Sequence, residues 1–355
     1  MALLEVNDLH VRFNTDDGVV HAVRGVSFEV EQGKTLGIVG ESGSGKSVAT
    51  QTITGLTRGA RIEGTAMFEG IDLLAATPEE LRSVRGVKIG MIFQDPLTSL
   101  HPAYKVGWQI EEMIRAHQDE GRKKARARAV ELLSLVGIPN AKTRVDDYPH
   151  QFSGGMRQRV MIAMAMALNP ALLIADEPTT ALDVTVQAQV LDVMRKVQEE
   201  FGTAIVLITH DLGVIAEMAD DVIVMYAGRV MEKAPRRDLF YANHHPYTEG
   251  LLASLPQRNS SGGRLLPIKG SPPSMINPPQ GCPFAPRCPY VFNRCVEETP
   301  ALVPVFRRED HLSACFLSGH QAEREQGKEQ MRVALLEEAQ LESARLESAK
   351  LEGIA

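Results

Sequence analysis

The chain has 355 residues, 44 % of them hydrophobic, enough to bury a sizeable core and to leave room for an appendage beside one large domain. A formal net charge of -7 argues against a dominant nucleic-acid-binding surface, so no nucleic-acid partner is expected. No apolar stretch follows the first Met and no run of about eighteen apolar residues occurs, so neither a signal peptide nor a membrane span is expected, and any membrane role would need a partner protein.

Residues 3–13 and 19–30 carry apolar side chains at alternating positions around the turn Thr15-Asp16-Asp17-Gly18, which predicts an antiparallel β entry. The short apolar strand Thr35–Val39 runs into a glycine-rich loop and then into a helix from Lys46. Helical periodicity with charged faces dominates from about 96 to 169, as in the Lys/Arg-rich side of 122–136, and predicts a helical subdomain. Strands Ala171–Ala175 and Ala204–Thr209 flank a helix around Val186–Glu200, a βαβ unit and hence a parallel sheet. The expected fold class is α/β, a P-loop core with an antiparallel β entry, a helical subdomain and a small loop-rich extension. After about residue 235 prolines such as Pro272, Pro273, Pro278, Pro279 and Pro283 exclude long helices. The expected division is 1–240, 241–320 and a charged tail, 321–355. Leu341, Leu346 and Leu351 in that tail are five apart, about 140° on a helix, so they make no stripe and a frayed helix or disorder is expected.

Gly40-Glu41-Ser42-Gly43-Ser44-Gly45-Lys46-Ser47 matches the phosphate-binding pattern G-x-x-x-x-G-K-[ST]. Across Ser42, Gly43, Ser44 and Gly45 successive backbone N–H groups can turn toward phosphate oxygens, and the following helix N-terminus adds partial positive charge. Lys46 is expected on the β and γ phosphates of ATP, and Ser47 on the Mg²⁺ that bridges them. The apolar strand ending in Asp176-Glu177 offers one carboxylate to that Mg²⁺ through water and a second, Glu177, to orient and polarise the attacking water.

Phe152-Ser153-Gly154-Gly155-Met156, opening a helix some twenty residues before Asp176-Glu177, resembles the signature motif of the ABC ATPases, which usually reads Leu-Ser-Gly-Gly-Gln. Ser153 and the Gly154 and Gly155 amides form a second helix N-terminal anion site, which suits two subunits packed head to tail around nucleotide. Gln94 resembles the family's Q-loop glutamine, implying contact with Mg²⁺ or the attacking water. His210 resembles the switch histidine that contacts the γ-phosphate and Glu177. Ala181-Leu182-Asp183 resembles the D-loop, with Asp183 acting across the dimer. Phe13 is the aromatic chosen to stack on adenine, or else a core phenylalanine. Gln94-Asp95-Pro96-Leu97-Thr98-Ser99-Leu100, Tyr148-Pro149-His150-Gln151 and His245-Pro246-Tyr247-Thr248 narrow the resemblance to ATPases of dipeptide and oligopeptide importers, a subfamily shared by nickel and glutathione importers. The resemblance implies ATP hydrolysis coupled to solute import at the cytoplasmic face of the inner membrane. It also implies a second, related ATPase chain, two transmembrane permeases and an extracytoplasmic solute-binding protein. A soluble ABC ATPase of translation or DNA repair is the different-class alternative, but those chains usually carry two such domains or a long coiled-coil insertion, and neither is found here.

All four cysteines fall near the C-terminus, as Cys282-x₅-Cys288-x₆-Cys295-x₁₉-Cys315. Four thiolates in a segment too short for its own core suit a [4Fe-4S] cluster or a structural Zn²⁺, with unligated thiols as the remaining reading. Close C-x₂-C pairs typical of zinc are absent, and the importer resemblance also points to [4Fe-4S]. Disulfides are disfavoured in a reducing compartment.

Overall fold

The computed structural model describes residues 2–95, 99–180, 182–255, 268–306 and 308–318. The readings of the 321–355 tail, of Pro96, Leu97 and Thr98, and of Ala181 lie outside these residues.

Two sheets share the core. Strands β1 (Ala2–Thr15) and β2 (Gly18–Glu31) pair antiparallel through the expected turn, with Thr15 opposite Gly18 and Phe13 opposite Val20. A strand the sequence pattern left unread, β4 (Ala60–Phe68), adds to the other edge of β1, and the short β5 (Ile71–Asp72) closes the order β2-β1-β4-β5. Most of β4 is exposed and only Ala66 and Phe68 are buried in it, so its apolar alternation is weak.

The second sheet contains β3 (Thr35–Val39), β6 (Ile89–Ile92), β7 (Leu172–Asp176), β8 (Ala204–Thr209), β9 (Asp221–Tyr226), β10 (Arg229–Pro235), β11 (Val303–Val305) and β12 (Arg308–Ser313), ordered β11-β12-β10-β9-β3-β8-β7-β6. From β9 to β6 all neighbours are parallel. Every residue of β3, β7 and β8 is buried, which is why they read as unbroken apolar runs. Their alternate side chains feed two different packings. Leu173, Ala175, Ile205 and Leu207 join the helical side of the core, while Leu172, Ile174, Val206 and Ile208 join the side lined by β1 and β2.

Helices α1 (Lys46–Ile53) and α2 (Pro78–Val84) precede the helical region α3 (Val106–His117), α4 (Arg122–Leu135), α5 (Ala141–Arg144) and α6 (Gly154–Ala165). Helix α4 shows how its basic sequence still packs: Ala125, Ala129, Leu132 and Leu133 form the one buried stripe, and the charges face outward. The crossover α7 (Val184–Phe201) starts at an Asp183 cap and stops at Gly202, whose φ of 63° ends the helix in the left-handed region. Helix α8 (Leu212–Met218) then leads into β9.

The segment after β10 holds only short helices among its described residues: α9 (Arg236–Tyr241), α10 (Pro246–Ala253) and α11 (Asn293–Glu297). Two of its strands, β11 and β12, extend the main sheet past β10. They are too short and too exposed to be seen as a pattern. A buried carboxylate fastens this junction. Glu232 of β10, fully buried, accepts hydrogen bonds from the His244 and His245 amides at 2.5 and 3.1 Å and meets His311 Nε2 of β12 at 2.8 Å. Glu232→Ala removes the acceptor from two backbone amides and one imidazole at once and is expected to cost about 3 kcal/mol. A urea midpoint that falls with unchanged m-value checks this, and Glu232→Gln should lose less. A midpoint equal to wild type in Glu232→Ala would show that the junction does not need the carboxylate.

Candidate functional site

The parallel register brings four strand ends level. Ile92 pairs with Ala175, Asp176 with Ile208, and Val39 with Thr209. The chain therefore leaves the sheet at Phe93-Gln94, Gly40, Glu177 and His210 along one edge, the carboxyl end where α/β sheets bind ligands.

Between β3 and α1 the loop 40–47 closes around its own lysine. Gly45 adopts φ 95° just before the helix, and a Cβ there would stand 2.3 Å from the Ala22 carbonyl oxygen, so only glycine fits. Lys46 is 5 % exposed, and its Nζ donates to the carbonyls of Gly40 (2.8 Å) and Glu41 (3.0 Å) and to Ser44 Oγ (3.4 Å). Burial lowers its pKa, opposed by the charges of Glu177, Asp176 and Glu41. Ser47 Oγ donates to Asp176 Oδ1 at 2.7 Å. Burial raises the Asp176 carboxyl, with the Ser47 hydrogen bond working against it and the Glu177 charge adding to it.

Glu177 sits in the left-handed region at φ 49°, a conformation costing about 1–3 kcal/mol for a non-glycine residue. Its amide donates to the Ile208 carbonyl at 2.8 Å, which pins the turn to β8. Its carboxylate is held from three segments: Gln94 Nε2 donates at 3.0 Å, Thr180 Oγ1 donates at 2.8 Å, and His210 Nδ1 lies at 3.3 Å. Burial alone would raise its pKa, but the Thr180 and His210 hydrogen bonds, with the charges of His210 and Lys46, outweigh it, and the net shift is downward. An ionised carboxylate beside Lys46, Ser47 and Asp176 can take a proton from, or orient, a water attacking a phosphoryl group. Thr180 was not singled out from the sequence; a hydroxyl three residues after Glu177, in the turn Pro178-Thr179-Thr180, is the signal that would have found it.

The other expected site residues lie elsewhere. Ser153 caps α6, accepting from the Met156 amide at 3.4 Å, and Gly154 and Gly155 form its first turn. A Cβ on Gly155 would approach Val186 Cγ1 to 2.3 Å, so this turn packs directly on α7. Asp183 caps α7 through the Val186 amide at 3.0 Å. Among the described residues no hydrogen bond joins Ser153, Gly154, Gly155 or Asp183 to the Lys46–Glu177 cluster. Phe13 is half-buried against the β1–β2 core.

The metal centre expected at the cysteines is not formed here: among the described residues no three His, Cys, Asp or Glu side chains are placed to hold a metal ion. Cys282, Cys288, Cys295 and Cys315 nevertheless line one cavity of about 20 Å³, together with Phe284, Tyr290 and Phe316. That space is of the order of one water molecule. Burial raises the Cys282 thiol, and pushes the Cys288 thiol up to about 12.

Because Asp176 is raised by burial, its ionised form opposes folding at pH above its raised pKa, and the penalty fades as pH falls from there toward 3.8, below which it is gone. Asp176→Asn keeps an oxygen for the Ser47 hydroxyl and removes the charge. The ligand-free variant is expected to melt roughly 2 °C higher at pH 7, an advantage that shrinks toward pH 4. Calorimetry across that range checks it; a variant no more stable at pH 7 would contradict the assignment of a buried charge here.

The ABC transporter family pattern matches residues 23–180, and the oligopeptide/dipeptide transporter C-terminal region matches residues 231–295. The dipeptide transport ATP-binding protein of Bacillus subtilis is 49 % identical over 324 residues, covering 90 % of this chain and 96 % of the relative. The oligopeptide transport ATP-binding protein of Salmonella typhimurium is 50 % identical over 317 residues, covering 88 % and 93 %. Among solved structures, an ATP-binding cassette determined as a dimer in a post-hydrolysis state with ADP and Pi superposes with a TM-score of 0.60 at 28 % identity, covering 66 % of this chain and 99 % of that one. A cassette of an ABC transporter complex from Clostridium perfringens gives 0.58 at 28 % identity, covering 68 % and 91 %. With its strand-end cluster of Lys46, Asp176 and Glu177 and these relatives along nearly its whole length, the chain belongs to the ATP-hydrolysing subunits of ABC transporters.

Proposed function

We propose that this chain powers import of dipeptides or oligopeptides through a membrane ABC transporter, by closing on ATP with a second, related ATPase subunit and reopening after hydrolysis. The observation that carries the catalytic part is the Glu177 carboxylate, held by Gln94, Thr180 and His210 next to Lys46, Ser47 and Asp176. The peptide specificity rests on the 231–295 region and on the names of the relatives. In this reading Ser42–Ser47 cradle the phosphates, Ser47, Asp176 and Gln94 face Mg²⁺, and Glu177 takes the proton of the attacking water with His210 steadying the carboxylate. Ser153, Gly154, Gly155 and Asp183 serve the nucleotide of the partner subunit. This agrees with their place at two helix N-termini packed together, away from the chain's own lysine. Phe13 stacks on adenine, a role that needs its half-buried ring to turn outward.

No helix of the described residues is long and apolar enough to cross a membrane. From the transport ATP-binding relatives we place the chain on the cytoplasmic face, held by two permease subunits that receive solute from an extracytoplasmic binding protein. A surface suited to the permeases flanks Gln94 in sequence: Phe93, Tyr104 and Trp108 are each more than a third exposed, and the Tyr104 and Trp108 rings stack at 4.2 Å. Residues 1–240 form the nucleotide-binding unit in this division, with 96–169 as its helical part and 241–320 as the extension. The four cysteines of that extension would hold a [4Fe-4S] cluster through their thiolates. Such a cluster would supply structural cross-linking between the segments around Cys282, Cys288, Cys295 and Cys315.

Glu177→Gln is expected to lower ATP turnover by about 10²–10³-fold while ATP binding persists and closed ATPase pairs accumulate. Single-turnover kinetics with size-exclusion chromatography check this, and retained hydrolysis would remove Glu177 from the water-activating role. Tagged purification from membranes should recover two permeases, a second ATPase and about four Fe per chain. A chain recovered without permeases would overturn the transporter role, and Zn or no metal would overturn the cluster.

A further inference from the structure

We propose that Arg287, in the cysteine-bearing extension, is a positioning residue for the phosphate-binding loop, acting through Glu41. Its side chain is only 4 % exposed, yet all five of its N–H donors are matched. Nη1 and Nη2 donate to the two oxygens of the Glu41 carboxylate at 2.6 and 3.0 Å. Nη1 also reaches Tyr226 Oη at 3.2 Å, Nε the Lys269 carbonyl at 3.0 Å, and Nη2 the Ile268 carbonyl at 3.3 Å. The guanidinium also lies 5.7 Å from the centre of the Tyr226 ring. A two-pronged arginine–carboxylate pair fixes orientation as well as distance, which a lysine in its place could not do.

Glu41 is the second residue of the loop that wraps Lys46, and it is gripped at both ends by this part of the chain. Its carboxylate is held by Arg287 and its amide donates to the buried Tyr247 hydroxyl at 2.9 Å, while its carbonyl accepts from Lys46 Nζ at 3.0 Å. A continuous path of hydrogen bonds thus runs from Arg287 through Glu41 to the lysine. Fastening the extension to the rest of the molecule would not require a partner inside that loop. The buried stack of Tyr226, Tyr247 and Phe284 and the Glu232 junction already provide such fastening. A buried ion pair is in any case a weak source of net stability, and its better-attested use is to select one arrangement. Here the arrangement selected is that of the backbone amides that face phosphate.

The inference rests on the phosphate-loop role proposed above, and the test separates the two. Binding of ATP, ADP and AMP to the full-length chain is measured by calorimetry for wild type, Arg287→Met, Arg287→Lys, Glu41→Gln, the Arg287→Met/Glu41→Gln double variant and Lys46→Ala. Loss of the pair is expected to weaken ATP and ADP about tenfold, which is ~1.4 kcal/mol, and to leave AMP unchanged, because the loop faces the outer phosphates. Arg287→Lys should restore only part of the affinity. The double variant should be no worse than either single one, since both break the same path. In the assembled transporter the KM for ATP should rise while turnover at saturating ATP stays within about twofold. Wild-type affinity for ATP and ADP in Arg287→Met, whatever its melting temperature, overturns the proposal, as does an additive double variant. Should Arg287→Met fail to fold, Glu41→Gln breaks the pair from the loop side and carries the same two outcomes. If Lys46→Ala binds ATP as wild type does, the phosphate-loop reading itself fails.

Discussion

The pairing of β3, β7 and β8 in one register is the constraint on which the site depends. Each of these strands is buried on both faces, and they end one residue before Gly40, Glu177 and His210, which meet at the strand-end cluster. Side chains along a strand alternate between faces, so slipping one strand by a single residue would exchange Ala175 with Asp176 and move apolar groups between two distinct packings. The two faces are filled by different residues of the same strands, which makes any slip costly on both sides at once. Placement of the strand-end polar groups is thus enforced by hydrophobic burial far from the polar atoms themselves.

On that frame the electrostatics pull in opposite directions. Burial presses Lys46 toward its neutral form and Asp176 toward its protonated form, while the same burial is overcome at Glu177 by the Thr180 and His210 hydrogen bonds. Two adjacent carboxylates therefore differ in how readily they ionise, and each has a defined partner: a serine hydroxyl for Asp176, and an amide, a hydroxyl and an imidazole for Glu177. The left-handed backbone at Glu177 belongs to the same design, since strain retained at a strand end turns the carboxylate out of the sheet and toward its three donors.

Much of this was legible in the sequence because it is local. The glycine-rich loop, the apolar run into Asp176-Glu177 and the βαβ crossover each announce themselves within a few neighbouring residues, and β3, α1, β7, α7 and β8 stand where they were expected. What escaped the sequence is what depends on contacts between distant segments. Strands β4, β11 and β12 are largely exposed and exist because a neighbour supplies their hydrogen bonds. Thr180 gains its role only from the bend at Glu177. Ser153 and Asp183 were read for their chemistry and are seen as helix caps, and at a helix N-terminus the two uses share one geometry. The four cysteines were read as one metal site; they line one cavity, but among the described residues no three of them are placed to hold a metal ion, and spacing along the chain carries no information on how far apart their sulphurs rest.

The pair between Glu41 and Arg287 spans 246 positions of sequence. During synthesis at about 5 to 20 residues per second, the glutamate is made some 12 to 50 seconds before its arginine. The nascent nucleotide loop therefore spends that interval without its brace. Synthesis of the extension is thereby recorded within the ATP site, where a late-made segment reaches back to a loop made long before it.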